Sequence, residues 1–188
     1  RESFVSRHEY GMLLEFDYDS YHLRLIGDII DYDFGQENVH TYLGKQYFGK
    51  DKLSEEEYEQ SKQISFRLLY GGIDKDFEKV PFFGKTKTYI NKLWKQFKSK
   101  GYVVTPLMKR PLYAKHLHDM NPNKLFNYVL QASETEYNLS ILNDINDLLC
   151  EYNTNIILYT YDSVLFDYDI KDGKELLLKL RSTISQAG

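Results

Sequence analysis

An apolar strand near the start of the chain and an apolar hairpin near its end constrain the fold more than any other feature. Residues 12–19 have the composition of a short strand that ends in acidic residues. Residues 156–160 and 164–168 are apolar stretches on either side of the tight turn Tyr161-Asp162-Ser163. Most of the residues between these strands follow helical periodicity. We therefore expect an α+β fold, in which a small antiparallel sheet carries an inserted helical lobe.

The individual elements follow from periodicity and from start and stop signals. Ser54 and Glu57 form a capping-box pattern that opens a helix, and Gly71-Gly72 ends it. The predicted helices cover residues 21–32, 54–70, 85–100, 123–151 and 173–184. Two short strands are predicted over residues 101–105 and 110–113.

The charge of the chain is distributed unevenly. The 188 residues carry a formal net charge of −4, which argues against nucleic-acid binding through bulk charge. Between Lys79 and His118, however, there are ten Lys or Arg residues and no Asp or Glu. The net charge of the chain is therefore the sum of a basic segment and acidic flanks, and it is compatible with a local basic surface.

Other composition signals narrow the class of protein. The single cysteine excludes a disulfide framework and a thiolate metal cluster, and it fits a reducing compartment. No apolar run reaches the roughly 18 residues of a membrane span, and we expect no secretion signal. We expect a cytoplasmic protein without a membrane partner. Because the sequence begins with Arg1 and a helical pattern runs close to Gly188, we expect a piece of a longer protein.

Two aspartates are candidate metal ligands. Asp17 and Asp162 each follow an apolar strand, so neighbouring strands would bring two carboxylates to one edge of the sheet. Two carboxylates at close range cannot both stay charged without a cation. A small set of oxygen ligands suits Mg²⁺, which completes its shell with water and substrate phosphates. The alternative is that both aspartates are turn formers.

One helical face could bind a nucleotide. Lys62, Phe66 and Tyr70 are spaced four residues apart in the predicted helix over 54–70, which places them along one face about 6 Å apart. A cation followed by two aromatic rings would match the phosphate, sugar and base of a nucleotide. The alternative is that Phe66 and Tyr70 belong to the core while Lys62 extends to water.

Together these residues resemble the motifs of family A DNA polymerases. The segment from Phe16 to Arg24 resembles motif A, and Lys62 to Gly71, with Phe66 between, resembles motif B. Tyr161-Asp162-Ser163 resembles motif C. Supporting matches lie in the expected order: Asn38-Val39-His40, the strand from Gly101 to Arg110, and Asn127 with Gln131. The match covers about residues 1–184 and is closest to divergent phage-type members.

The resemblance implies a role for each residue. Asp17 and Asp162 would hold two Mg²⁺ ions, and the carbonyl of Tyr18 would complete the first site. Lys62 would contact the incoming triphosphate and protonate the pyrophosphate, and His40 would also contact phosphates. Phe66 would pack on the deoxyribose and Tyr70 would lie beside the templating base. The residues implied to touch primer–template DNA are Arg110, Asn127, Gln131 and Ser163.

The resemblance also implies a division of the chain. Residues 1–30 would be the first part of a palm, residues 31–118 the fingers, and residues 119–188 the second part of the palm. The basic segment would belong to the fingers, where template phosphates pass, although a solvated lysine-rich helix face is the alternative. We expect the thumb to lie outside this chain and the isolated piece to have little or no activity.

Three positions depart from the family pattern. Tyr58 stands where an Arg is usual, His22 replaces the glutamate that excludes ribose, and Ser163 replaces the third carboxylate. The leading hypothesis is template-directed DNA synthesis from dNTPs. A single-subunit RNA polymerase, whose motif C contains His-Asp-Ser, is the second. A non-catalytic DNA-binding remnant and a two-metal nuclease remain as further alternatives.

Overall fold

The structure is a computed structural model that describes residues 4–185. The described residues contain six α-helices and five strands. The helices are α1 (Tyr21–Ile30), α2 (Val39–Phe48), α3 (Glu55–Gly71), α4 (Pro81–Lys100), α5 (Pro122–Leu149) and α6 (Gly173–Ser185). The strands are β1 (Gly11–Asp17), β2 (Tyr102–Val104), β3 (Pro111–Tyr113), β4 (Asn155–Thr160) and β5 (Ser163–Asp169). The predicted α+β fold is confirmed.

The described residues divide into two compact units. One, the sheet unit, combines the residues up to Tyr21 with those from Glu134 onward. The other, the helical unit, contains His22–Ser133, so its sequence is inserted into that of the sheet unit. The predicted division into palm and fingers at residues 30 and 118 stays a prediction. The first and last three residues, which that division includes, lie outside the described residues.

The sheet unit is built on a three-stranded antiparallel sheet in the order β1-β5-β4. Gly11 pairs with Asp169 at one end of the β1–β5 ladder, and Asp17 pairs with Ser163 at the other. Every residue of β5 is buried, because it lies between two strands and under the helices. The core of this unit joins apolar residues of α5, β5 and α6: Ile141, Ile145, Leu149, Val164, Phe166, Tyr168, Leu176, Leu180 and Ile184.

The helical unit contains one helix that the sequence did not predict. Helix α2 begins after Asn38, whose side chain accepts from the backbone N–H groups of His40 and Thr41 at 3.0 and 3.1 Å. A Cβ at Gly44 would lie 2.9 Å from Cβ of Ser61, so the missing side chain lets α2 lie close against α3. Val39, Leu43, Leu68 and Phe83 are fully buried in this unit.

Helices α3 and α4 have the ends that their sequences indicate. Ser54 accepts from the N–H of Glu57 while the Glu57 carboxylate accepts from the N–H of Ser54, which completes the predicted capping box. Helix α4 begins at Pro81 and ends before Gly101, which adopts a left-handed φ of 75°. Within residues 4–185, none of the helices combines the length and apolar character that crossing a membrane requires.

Candidate functional site

The predicted carboxylates lie at one end of the sheet in the sheet unit. Asp17 is the last residue of β1, and Asp162 is the second residue of the two-residue turn between β4 and β5. The N–H of Tyr18 donates to the carbonyl oxygen of Asp162 at 3.0 Å. Both aspartate side chains are exposed. One backbone hydrogen bond therefore ties together the two short segments that carry the carboxylates.

The turn that carries Asp162 has an unusual backbone. Tyr161 has a φ of 52°, and the first position of a two-residue hairpin turn with positive φ usually carries glycine. A bulky residue in this region is strained and needs support from its surroundings. Asn138 of α5 supplies such support, since its Nδ2 donates to the carbonyl oxygen of Tyr161 at 2.9 Å.

Asn138 is a buried polar residue that sequence reasoning missed. It is 2% exposed, and its amide makes three hydrogen bonds. Besides the bond to Tyr161, its Oδ1 accepts from the hydroxyl of Tyr21 at 3.1 Å, and its Nδ2 donates to the hydroxyl of Tyr159 at 2.7 Å. A signal was available, because Asn138 precedes Ile141 and Ile145 on the apolar face of the predicted long helix.

Tyrosine side chains surround this end of the sheet. Burial raises the pKa of Tyr18 to about 12, and burial also raises the pKa of Tyr21. Their rings lie 4.9 Å apart between centroids. Both phenols therefore stay protonated at neutral pH, and the hydroxyl of Tyr21 is available to donate to Asn138. Ser163 is buried, and its hydroxyl donates to the carbonyl oxygen of Thr160 at 3.4 Å.

The donor set of Asp17, Asp162 and the Tyr18 carbonyl is small and contains only oxygen. Among residues 4–185, no group of three or more His, Cys, Asp or Glu side chains is arranged to hold a metal ion. Mg²⁺ does not need such a group, because it is commonly bound by one or two carboxylates and keeps several waters. Asp17 and Asp162 fit this requirement, because both carboxylates are exposed and a backbone hydrogen bond joins the segments that carry them.

The helical unit contains the predicted nucleotide-binding face on α3. Phe66 and Tyr70 are 44% and 41% exposed, which rules out the interpretation that they are core residues. Their rings are nearly parallel, at 6° and 6.3 Å between centroids. The ammonium group of Lys62 pairs with the Glu59 carboxylate at 2.8 Å and lies 4.4 Å from the centroid of the Tyr58 ring. Hydrogen bonding to Glu59 raises the pKa of Lys62.

His40 and His22 contact this face from two other helices. His40 of α2 is 4% exposed, and its ring lies 5.6 Å from that of Phe66. His22 lies in the first turn of α1, and its Nδ1 is 2.5 Å from the hydroxyl oxygen of Tyr70. The structure thus brings five predicted nucleotide-binding residues together in the helical unit: His22, His40, Lys62, Phe66 and Tyr70.

Two further predicted residues lie on α5, and one lies beside the short hairpin. Asn127 donates through Nδ2 to the carbonyl oxygen of Tyr70 at 3.4 Å, so it contacts the end of the α3 face. Gln131 is exposed one turn further along α5. Arg110 is exposed before β3, where its N–H donates to Oγ1 of Thr105 at 2.9 Å.

The basic segment is largely the exposed surface of α4. This helix contains six lysines and no acidic residue. Two of the six lysines also make hydrogen bonds within the helical unit. Lys85 donates to the carbonyl oxygen of Asp31, and Lys87 donates to that of Ile73. The ammonium group of Lys98 lies 5.6 Å from the centroid of the Trp94 ring. The exposed lysines give α4 a positively charged surface.

Comparison with known proteins identifies the fold. No protein-family model and no curated protein sequence matches the chain. Among solved structures, the chain is similar to the POL domain of Pol1 from M. smegmatis, a structure in complex with DNA primer-template and dNTP. The TM-score is 0.83 at 20% sequence identity, and the match covers 100% of this chain and 39% of that one. The chain has the α+β fold of a DNA polymerase domain.

Proposed function

We propose that this chain is the catalytic part of a template-directed DNA polymerase that adds dNTPs to a primer 3′-OH. The observation that carries the proposal is the placement of Asp17 and Asp162 at one end of the sheet in a polymerase-domain fold. The α3 face supports it independently, since Phe66 and Tyr70 are too exposed to be explained by packing. The proposed substrates and partners are dNTPs and primer–template DNA.

The proposed role of Asp17 and Asp162 is to hold two Mg²⁺ ions, with the carbonyl of Tyr18 as a further ligand. When bound, two such ions stabilise the attacking and leaving oxygens of an in-line displacement. In the reaction, the primer 3′ oxygen forms a bond to the α-phosphorus of the dNTP and loses its proton to water. The bond from that phosphorus to the bridging oxygen breaks, and pyrophosphate leaves.

The proposed nucleotide-binding residues lie on α3 and around it. Lys62 binds the triphosphate and donates a proton to the departing pyrophosphate. Phe66 packs against the deoxyribose, and Tyr70 lies beside the templating base. His40 contributes to phosphate binding. His22 replaces the glutamate that excludes a ribose 2′-OH in the family, and its imidazole supplies comparable bulk.

The proposed DNA-binding residues are Arg110, Asn127, Gln131 and Ser163, together with the lysines of α4. The exposed cations of α4 would neutralise template phosphates, a term of nucleic-acid binding that weakens with salt. Membership of family A, a divergent phage-type origin and a cytoplasmic location rest on the motif resemblance and are proposed with it.

The test is primer extension by the full-length protein on a defined template, with dNTPs and rNTPs in parallel. We expect extension that follows the template sequence, requires Mg²⁺ and prefers dNTPs. Preferential use of rNTPs would favour a single-subunit RNA polymerase. Template binding without extension would favour a non-catalytic remnant, and strand cleavage would favour a nuclease.

A further inference from the structure

Asn138 holds the turn that carries Asp162, and no motif of the sequence assigns it a role. Its side chain is buried in the sheet unit, on the face of α5 that contains Ile141 and Ile145. Asparagine is a poor residue for the interior of a helix, and a buried amide is costly unless its hydrogen bonds are made. The position therefore needs an explanation beyond packing.

The hydrogen bonds of Asn138 fix the orientation of its amide. A backbone carbonyl can only accept, so the atom that faces the carbonyl of Tyr161 at 2.9 Å must be the NH₂ group. The second N–H then points to the hydroxyl of Tyr159 at 2.7 Å, and Oδ1 accepts from Tyr21 at 3.1 Å. The amide thus uses both donor hydrogens and its acceptor oxygen.

These contacts act on the two peptide groups that flank the α-carbon of Asp162. The carbonyl of Tyr161, on one side, is held by Asn138, and the carbonyl of Asp162, on the other, accepts from the N–H of Tyr18 at 3.0 Å. Tyr161 has a φ of 52°, which a tyrosine does not adopt without support. Loss of the Asn138 bond would release one of these two peptide groups.

We propose that Asn138 is a positioning residue that orients the Asp162 carboxylate for metal binding through its hydrogen bond to the Tyr161 carbonyl. This inference rests on the proposed function. Residues that orient metal ligands commonly change metal affinity or activity by about 10- to 100-fold when they are replaced. The alternative is that Asn138 only satisfies the hydroxyls of Tyr21 and Tyr159.

The experiment measures Mn²⁺ binding to the chain by electron paramagnetic resonance, which needs no turnover. Asn138→Asp keeps an acceptor for Tyr21 but, when ionised, cannot donate to the Tyr161 carbonyl, and we expect it to weaken Mn²⁺ binding by about tenfold or more. Tyr21→Phe is the matched control, because it removes a hydrogen bond from the same amide but leaves the bond to Tyr161 intact. We expect it to lower the thermal midpoint and to retain the affinity for Mn²⁺.

Each outcome has a distinct meaning. Wild-type Mn²⁺ affinity in folded Asn138→Asp, or equal losses in Asn138→Asp and Tyr21→Phe, would overturn the positioning role. If Asn138→Asp does not fold, the smaller and uncharged Asn138→Ser replaces it with the same expected result. Asp162→Ala separates the two proposals: unchanged Mn²⁺ binding in that variant would overturn the metal site itself. A loss in Asp162→Ala without one in Asn138→Ser would overturn only the inference about Asn138.

Discussion

The Nδ1 atom of His22 lies 2.5 Å from the hydroxyl oxygen of Tyr70, and the two rings meet edge to face at 5.9 Å between centroids. This contact joins the first turn of α1 to the last turn of α3. It therefore links the position that would exclude ribose to the aromatic end of the proposed nucleotide face. Asn127 contacts the backbone of the same tyrosine, so Tyr70 is held at both its hydroxyl and its carbonyl.

From the contact between His22 and Tyr70 we predict how the protein discriminates dNTPs from rNTPs. His22→Ala removes both the bulk of the ring and the hydrogen bond, so the ratio of rNTP to dNTP incorporation should rise by about tenfold or more. Tyr70→Phe removes only the hydrogen bond and should retain the preference for dNTPs. Single-nucleotide incorporation with each substrate gives the ratio. An unchanged ratio in His22→Ala would show that this residue does not exclude ribose.

Lys62 and Glu59 provide a second prediction. Because their ion pair lies at the surface, both Lys62→Ala and Glu59→Gln should leave the free energy of unfolding close to that of the wild type. Lys62→Ala should nevertheless lower the rate of dNTP incorporation by about 10²-fold or more, since it removes a phosphate contact and a proton donor. Glu59→Gln should keep the rate near that of the wild type. Equal rates in the two variants would contradict the role of Lys62.

Substitutions of Phe66 and Phe83 distinguish a role in nucleotide binding from a role in core packing. Phe83 is fully buried, so Phe83→Ala should cost about 3–5 kcal/mol of stability. Phe66→Ala should cost about 1 kcal/mol or less, because the ring is 44% exposed, yet it should raise the KM for dNTP. Chemical denaturation and steady-state extension test both statements. The family resemblance further implies that Phe66→Tyr improves the use of dideoxynucleotides.

The sheet unit should lose stability in acid through Asp167. Burial opposes the charged form of this carboxylate, but hydrogen bonds from the hydroxyl of Ser6 and the N–H of Arg7, together with electrostatic attraction from the His8 and Arg7 side chains, outweigh it and lower its pKa. Because the pKa of Asp167 is lower in the folded state than in the unfolded state, its charged form stabilises the fold at pH values above the unfolded-state pKa of about 3.9. This stabilisation is lost as the pH falls through the folded-state pKa. Denaturation at pH 7, 4 and 3 should show the loss. Ser6→Ala should reduce the pH dependence, and an unchanged dependence would count against this explanation.

Much of the fold followed from local sequence signals. The β4–β5 hairpin is marked by apolar runs on both sides of Tyr161-Asp162, and α3 is marked by the capping box at Ser54. The position of Asp17 and Asp162 at one edge of the sheet was also predicted from the sequence, because antiparallel pairing places the end of β1 beside the start of β5. These features depend on residues that are near in sequence or on strand pairing alone.

The remaining features depend on tertiary contacts. Helix α2 lacks a strong apolar period, and its packing relies on the close approach at Gly44, which the sequence does not signal. The bond between His22 and Tyr70 joins residues that are 48 positions apart. Asn138 interrupts an apolar face, but only the folded structure shows that its amide holds the turn before Asp162.

The most direct test of the central claim is the single-turnover rate of dNTP incorporation by the full-length protein and its aspartate variants. Asp17→Asn and Asp162→Asn should each lower the rate by about 10³-fold, because a lost metal ligand removes several kcal/mol of transition-state stabilisation. Asp19→Asn, which makes the same change two residues from Asp17, should retain the rate. Incorporation at the wild-type rate in Asp17→Asn or Asp162→Asn would contradict the assignment of these carboxylates to catalysis.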